Sequence, residues 1–198
     1  MQEELLQFEK LGVWHLVDLP ESAKTIGTKW VFKCKRGDRG VIVRNKARLV
    51  VQGFRQEEGN DYNEVYAPVR PEAIRIFLAY ASFKGFKVYQ MDVKSAFLYG
   101  KVKEIVYVAQ PPGFVDPFYP KKVFMLDKAL YRLHQAPRAW YETLSTHLMD
   151  NGFMRGTVDC TLFTKEMDGH LMLVQIYVDD IIFGFTCVKL CKEFKAVM

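Results

Sequence analysis

Two apolar half-strands, Val174–Tyr177 and Ile181–Phe185, meet at a pair of adjacent aspartates, Asp179 and Asp180. Runs this short and this rich in β-branched and aromatic residues read as the arms of an antiparallel hairpin. The tip is chemically odd. Asp-Asp is a poorer turn sequence than Asn-Gly, and neighbouring carboxylates repel each other unless a cation neutralises them. An ordinary polar turn would leave unexplained why charge sits between two segments that look buried. A third carboxylate, Asp92, closes an apolar run of the same kind, Tyr89-Gln90-Met91-Asp92-Val93. Strand-end carboxylates far apart in sequence meet if their strands are neighbours in one sheet, and three of them make a hard-oxygen set suited to magnesium. Such a set can hold two ions about 3.5 to 4 Å apart, one at the attacking and one at the leaving oxygen of an in-line phosphoryl displacement.

Charge is distributed unevenly along the chain. From Lys24 to Arg55 there are ten basic residues and one acid, Asp38, a local charge of +9 against +5 for all 198 residues, so the remainder is net acidic. Apolar triplets interleave with this block: Trp30-Val31-Phe32, Val41-Ile42-Val43 and Leu49-Val50-Val51. Basic residues mixed with aromatics suggest a polyanionic partner, although a solvated sheet face would have the same composition. Lys29–Lys35 and Val41–Gly53 alternate on either side of Arg36-Gly37-Asp38-Arg39-Gly40, so the basic block is itself a β-hairpin.

Periodicity elsewhere predicts a short amphipathic helix over Glu3–Leu11, an acidic turn over Glu57–Glu64, and a helix over Pro71–Phe83 stopped at Gly85. Strands follow at Phe86–Val93, Ile105–Ala109 and Val123–Leu126, with a short helix opening at Ser95–Leu98. A helical region over Asp127–Asp150 is interrupted at Pro137 and stopped at Gly152. Strands at Cys160–Lys165, Leu171–Val178 and Ile181–Phe185 precede a last helix at Val188–Val197. This mixed order predicts an α+β fold, with helices packed on one face of an antiparallel sheet. The length suits one domain with a real core, and 49% apolar against 26% charged residues excludes disorder as a description of the whole chain. No apolar run approaches the 18 residues of a membrane span, and the acidic start Met1-Gln2-Glu3-Glu4 is unlike a secretory signal, so the expectation is an intracellular protein with no membrane partner. Cys34, Cys160, Cys187 and Cys191 are too scattered for a disulfide framework, and no histidine completes a zinc set around the last two.

Six runs, in order, together resemble one family: Gly27-Thr28-Lys29-Trp30-Val31-Phe32, Arg44-Asn45-Lys46-Ala47-Arg48-Leu49-Val50, Val88-Tyr89-Gln90-Met91-Asp92-Val93-Lys94-Ser95-Ala96-Phe97-Leu98, Gln110-Pro111-Pro112-Gly113-Phe114, Gln135-Ala136-Pro137-Arg138-Ala139-Trp140-Tyr141 and Ile176-Tyr177-Val178-Asp179-Asp180. They resemble the reverse transcriptase of copia-type long-terminal-repeat retrotransposons in its plant form. The resemblance implies a fingers-and-palm fold, with residues 1–85 rich in fingers and 86–198 mainly palm with some fingers. It implies an RNA-directed DNA polymerase in which Asp92, Asp179 and Asp180 are the catalytic carboxylates and the ligands of two Mg2+ ions, replaceable by Mn2+. Asp92 and Asp179 would be the principal ligands, with Asp180 in support. Lys46 and Arg48 fall where the family holds the incoming deoxynucleoside triphosphate. Phe97 matches an aromatic gate against the ribose 2′-hydroxyl, Gln135 a glutamine near the nucleotide sugar, and Tyr177 belongs to the same nucleotide site. Core packing would also account for Phe97 and Gln135. Lys29, Lys33, Lys35, Arg44 and Arg55 would contact nucleic acid.

The same resemblance implies an RNA or DNA template with its primer and the rest of a Pol polyprotein as partners, in a cytoplasmic virus-like particle or the nucleus. There are departures. Tyr131-Arg132-Leu133-His134 stands where the family has Tyr-Gly-Leu-Lys, Ala67–Glu72 is one residue shorter than usual, and the chain stops at Met198. Thumb and ribonuclease H portions are therefore expected to be missing, and the fragment is expected to polymerise poorly or not at all by itself. A nucleic-acid-binding remnant without catalysis would share the basic hairpin, and a palm-type nucleotide cyclase would share the carboxylates but need no template.

Overall fold

Leu5 and Phe8, spaced for one helical face, open the chain as α1 (Gln2–Leu11), and Gly12 ends that helix in the left-handed conformation (φ 58°) that lets the chain turn into strand. The computed structural model describes residues 1–65, 67 and 71–198, so Pro68–Arg70 of the shortened segment lie outside the described residues. In chain order α1 is followed by β1 (Trp14–Val17), β2 (Thr25–Ile26), β3 (Thr28–Arg36), β4 (Ile42–Val51), α2 (Pro71–Phe83), β5 (Lys87–Asp92), β6 (Tyr107–Val108) and β7 (Val123–Leu126). Then come α3 (Ala136–Asp150), β8 (Met154–Arg155), β9 (Leu162–Met167), β10 (His170–Tyr177), β11 (Asp180–Phe185) and α4 (Val188–Val197), with single 3-10 turns at Gly53–Arg55 and Ala96–Tyr99. The fold is mixed α and β. No helix among the described residues is long and apolar enough to cross a membrane.

The chain forms two units, one of Met1–Tyr66 with Phe97–Trp140 and one of Ala67–Ala96 with Tyr141–Met198. In the first, a four-stranded sheet has the order β1-β7-β6-β2, with β2 parallel to β6 and the other pairs antiparallel. Phe8, Val13, Ile26, Val108 and Leu126 form the buried cluster beside it, and the Trp14 and Phe124 rings stack at 4.2 Å. The β3–β4 hairpin joins the same cluster through Leu49 and Val51, both fully buried. Its Trp30 indole donates to the Pro112 carbonyl at 3.0 Å and meets the Phe114 ring edge-on. Gln110 braces that loop from within, donating to the carbonyls of Tyr119 and Lys122 and accepting from the Asp116 amide.

The second unit is built on a five-stranded antiparallel sheet of order β5-β11-β10-β9-β8. Strand β10 is buried along most of its length, so both of its faces need cover. On one face Phe77 and Ala81 of α2 pack with Leu173 and Ile182, and a Cβ on Gly184 would lie 3.4 Å from Phe77 Cζ. On the other, Phe194 of α4 meets Phe183, with ring centroids 4.8 Å apart. Helices therefore cover both faces of this sheet, and the expectation of one covered face is corrected. Strict in–out alternation would have left the second face wet; β10 lacks that alternation.

Two further differences have local causes. The region Asp127–Asp150 is helical only from Ala136, and Pro137 sits in the first turn of α3, where its missing N–H is one the helix leaves unpaired anyway. Proline here begins the helix and does not interrupt it. Upstream, Arg132 has a φ of 67°, a left-handed conformation that stops helix propagation. The Val51 amide donates to the Tyr131 carbonyl at 3.0 Å, and Gly53 approaches the next peptide so closely that a Cβ would lie 2.0 Å from the Arg132 oxygen. Strands β1, β2 and β8 were not expected from the sequence; β2 and β8 are two residues each, too short to show a period.

Helix α1 also carries a half-buried carboxyl. Leu5 and Phe8 share the apolar cluster of Leu49 and Val51, and this brings the Glu4 carboxylate against β4 near Lys46 and Arg48, faced by the Leu49 amide. Its Oε1 is buried without a hydrogen bond. Burial raises the Glu4 carboxyl above its ordinary range, more than Lys46 and Arg48 lower it. Lys46 is displaced downward, first by desolvation and then by Arg48.

This packing has measurable consequences. Arg132→Gly should stabilise the chain by about 0.5 to 1 kcal/mol in urea unfolding, because relief of roughly 1 to 2 kcal/mol of left-handed strain exceeds the extra unfolded-state freedom of glycine. Gly53→Ala should lose about 1 to 3 kcal/mol as the backbone moves aside. For Glu4 the folded pKa lies above the unfolded value of 4.5, so its burial penalty is absent at acidic pH and develops as pH rises through the raised value. Melting of wild type and Glu4→Gln should coincide near pH 4, with the Gln variant gaining as pH climbs toward 8. A gap that narrowed with rising pH would contradict this.

Candidate active site

Strand β11 lies between β5 and β10, and its register sets the geometry of one end of the sheet. Asp180 is directly opposite Asp92 on β5 and opposite Tyr177 on β10. Cross-strand partners share a face, so the three side chains project from the same side of the sheet, together with Gln90 two residues before Asp92. Asp180 is thus the first residue of the returning strand, and the two-residue tip of the hairpin is Val178-Asp179. Only one of the adjacent aspartates occupies the turn. A two-residue hairpin loop requires positive φ at its first central position, and Val178 supplies it at 56°. A β-branched residue there stores of order 1 to 3 kcal/mol of strain. Ser95, three residues after Asp92, is also left-handed at 60°. The Val93 amide donates to the Asp179 carbonyl at 2.9 Å, tying the turn to the end of β5.

The electrostatics of this sheet end are unfavourable in isolation. Asp92 is exposed and Asp180 half-buried, and like charges directly across a ladder repel. Gln90 Nε2 donates to Asp180 Oδ1 at 2.9 Å, a neutral donor that leaves both charges in place. The donor set is all carboxylate oxygen, the type that Mg2+ takes, and a hard cation offsets the repulsion. In kind, Asp92, Asp179 and Asp180 fit magnesium. Among the described residues no three His, Cys, Asp or Glu side chains converge closely enough to hold an ion as they stand.

The basic residues of the first unit are sorted by the hairpin register. Val31↔Arg48, Lys33↔Lys46 and Lys35↔Arg44 are cross-strand pairs, so Lys29, Lys33, Lys35, Arg44, Lys46 and Arg48 all lie on one face. Phe32, Cys34 and Ala47 lie on the other. Two of those pairs oppose cation to cation, which costs stability unless an anion lies across them. Arg55 stands apart in the Gly53–Arg55 turn, its guanidinium over the Phe54 ring at 5.8 Å. The Arg48 guanidinium covers the Tyr131 ring at 5.1 Å, and half-buried Phe97 meets Tyr131 edge-on at 6.0 Å. Gln135 is fully buried. It accepts from Gln56 Nε2 at 3.0 Å and donates to the Asp61 carbonyl, while Gln56 Oε1 takes the His134 amide. With no exposed surface, it acts on its surroundings through the loop it holds. Gln56 was not named from the sequence, and Gln90 and Tyr131 were named only within motifs, with no role assigned to their side chains. Of these only Gln90 carried a signal, its place two residues before Asp92 in a strand.

Residues 11–198 match the family model described as reverse transcriptase (RNA-dependent DNA polymerase). The chain is 38% identical over 184 residues to the retrovirus-related Pol polyprotein from transposon TNT 1-94 of Nicotiana tabacum, covering 92% of this chain and 14% of that protein. It is 43% identical over 171 residues to those from transposons RE1 and RE2 of Arabidopsis thaliana, covering 85% of this chain and 12% of each. The chain spans 12 to 14% of the length of these relatives. The expected kinship with copia-type retrotransposons of plants holds. A match that runs from residue 11 to the last residue leaves one assignment: the chain belongs to the reverse transcriptase family, as a domain of the kind found in retrotransposon Pol polyproteins.

Proposed function

We propose that this domain carries out magnesium-dependent, template-directed nucleotidyl transfer to a primer 3′-hydroxyl, the second unit serving as palm and the basic hairpin as fingers. The observation that carries the reading is the pairing of Asp180 with Asp92 at one sheet end, with Asp179 in the adjoining turn. Asp92 and Asp179 would be the principal ligands of the metal and Asp180 their support. Two bound Mg2+ ions would supply activation of the attacking hydroxyl and stabilisation of the leaving pyrophosphate. The chain's own residues do the rest. Lys46 and Arg48 offer a point charge and a bidentate fork to a triphosphate, whose negative charge relieves the cation-to-cation pairs across the hairpin. Lys29, Lys33, Lys35 and Arg44, on the same face, and Arg55 would meet the phosphates of template and primer. Tyr177 shares the face of the carboxylates and would line the nucleotide site there. Phe97, packed edge-on against Tyr131, has the bulk to exclude a 2′-hydroxyl, and Gln135 would shape the nucleotide's surroundings through its loop. The remainder of a Pol polyprotein is the natural partner.

A second reading, a nucleic-acid binder without catalysis, is favoured by one observation: no three carboxylates converge among the described residues. Primer extension with Mg2+ by a Pol polyprotein carrying this segment separates the two. Template-dependent extension should be present and should fall by several orders of magnitude in Asp179→Asn, because a neutral amide cannot hold two cations. Extension unchanged by that substitution would leave the binder.

The hairpin makes its own prediction. Binding of a primer–template duplex by this chain should weaken steeply with salt, and Lys46→Ala or Arg48→Ala should each flatten the log–log slope by about one unit for every phosphate that is no longer neutralised. Salt-insensitive binding would remove the phosphate role from this face.

A further inference from the structure

Gln90 has no part in the metal set, yet among the described residues its side chain is hydrogen-bonded to one of the three carboxylates. On β5 it lies opposite Ile182, with one pair between it and the Asp92↔Asp180 pair and on the same face, which places it diagonally across from Asp180. Its Nε2 donates to Asp180 Oδ1 at 2.9 Å although both residues are reachable by water. Among the described residues neither Asp92 nor Asp179 carries a side-chain bond of this kind.

We infer that Gln90 is a positioning residue for Asp180, holding Oδ1 and leaving Oδ2 available to a divalent cation. The chemistry of the donor supports this. A lysine or arginine at position 90 would also orient the carboxylate, but it would cancel the charge by which a cation is bound. An amide orients it and leaves the charge. An ionised carboxylate has about four acceptor directions, of which one N–H occupies one, so Asp180 keeps its capacity as a ligand while losing rotational freedom. The bond also distinguishes the three aspartates: among the described residues Asp180 is held by a side-chain hydrogen bond, and Asp92 and Asp179 are not. That difference gives a physical basis for Asp180 acting as the support in the set. Hydrogen-bond donors placed behind a metal ligand typically change metal affinity or activity 10- to 100-fold when removed. The inference rests on the reading that these carboxylates hold the divalent metal.

The test uses the full 198-residue chain and Mn2+ as a paramagnetic probe, with free Mn2+ followed by electron paramagnetic resonance. Wild type should bind, Asp92→Asn should abolish binding, and Gln90→Leu should weaken it about tenfold. A second measurement needs no metal: the Gln90 side-chain amide signals in a proton–nitrogen correlation spectrum should move in Asp180→Ala and stay in Asp179→Ala. Unchanged Mn2+ affinity in Gln90→Leu, with Asp92→Asn still abolishing binding, would overturn the positioning role and leave the metal reading intact. Gln90 amide signals indifferent to Asp180→Ala would overturn it as well. Mn2+ binding indifferent to Asp92→Asn would instead bring down the metal reading itself, and the role of Gln90 with it.

Discussion

The pairing of β11 with β5 is the constraint from which the rest of the carboxylate end follows. Side chains alternate along a strand, so a slip of one residue would move Asp180 to the face that holds Ile181 and Phe183, and Ile181 to the face of Tyr177 and Gln90. Two contacts work against such a slip. At the far end of the ladder Gly184 lies beneath Phe77 and Phe86, where a Cβ would come within 3.2 Å of Phe86. At the near end the Val93 amide and the Asp179 carbonyl close the turn onto β5. Apolar packing on one side of this sheet therefore fixes where charge stands on its end. The charge itself contributes nothing favourable to folding, since Asp92 and Asp180 are opposed like charges.

The hairpin of the other unit follows the same logic with the sign reversed. Its base is held by Leu49, Val51 and the Trp30–Pro112 hydrogen bond, and that anchoring tolerates a face on which lysine and arginine oppose one another. In both units apolar anchors stabilise the element while its exposed part carries unbalanced charge. Residues placed this way are poor contributors to stability and good candidates for binding the opposite charge. Glu4 is the local exception, a carboxylate carried into the first unit by the apolar contacts of α1 and set near Lys46 and Arg48.

Much of this could be read in the chain before its fold was known, and the parts that could not have physical reasons. The limits of α2 and α4 were legible residue for residue, because each has a clear apolar period and an unambiguous start or stop. The hairpin was legible because alternation and a glycine-containing linker coincide. Pro137 misled because proline has two meanings, breaker in a helix interior and preferred opener in the first turn, and only the position of the preceding residues decides between them. Asp179-Asp180 was read as a tip because both are polar, whereas the turn is set by backbone conformation and was closed by the unpromising Val178. The second covered face of the five-stranded sheet was illegible for a different reason: an unbroken apolar run shows that a strand is buried, but not what buries it. At the candidate site, residue types were legible and contacts were not. Nothing in the order of residues says that Gln135 spends its amide on Gln56 and Asp61, or that Gln90 reaches Asp180.

The interleaving of the two units bears on how such a chain reaches its fold. Strands β1 and β2 lie in the first thirty residues, yet their partners β7 and β6 follow only after α2 and β5, which belong to the other unit. As the chain emerges during synthesis, the early strands wait for sheet partners that are made later, and open strand edges invite pairing with other chains. The same holds for β5, whose partner β11 comes near the end. A polypeptide of this topology depends on long-range contacts for both of its cores, so it folds late and as a whole, with slow acquisition and exposure to aggregation as the accompanying kinetic burden.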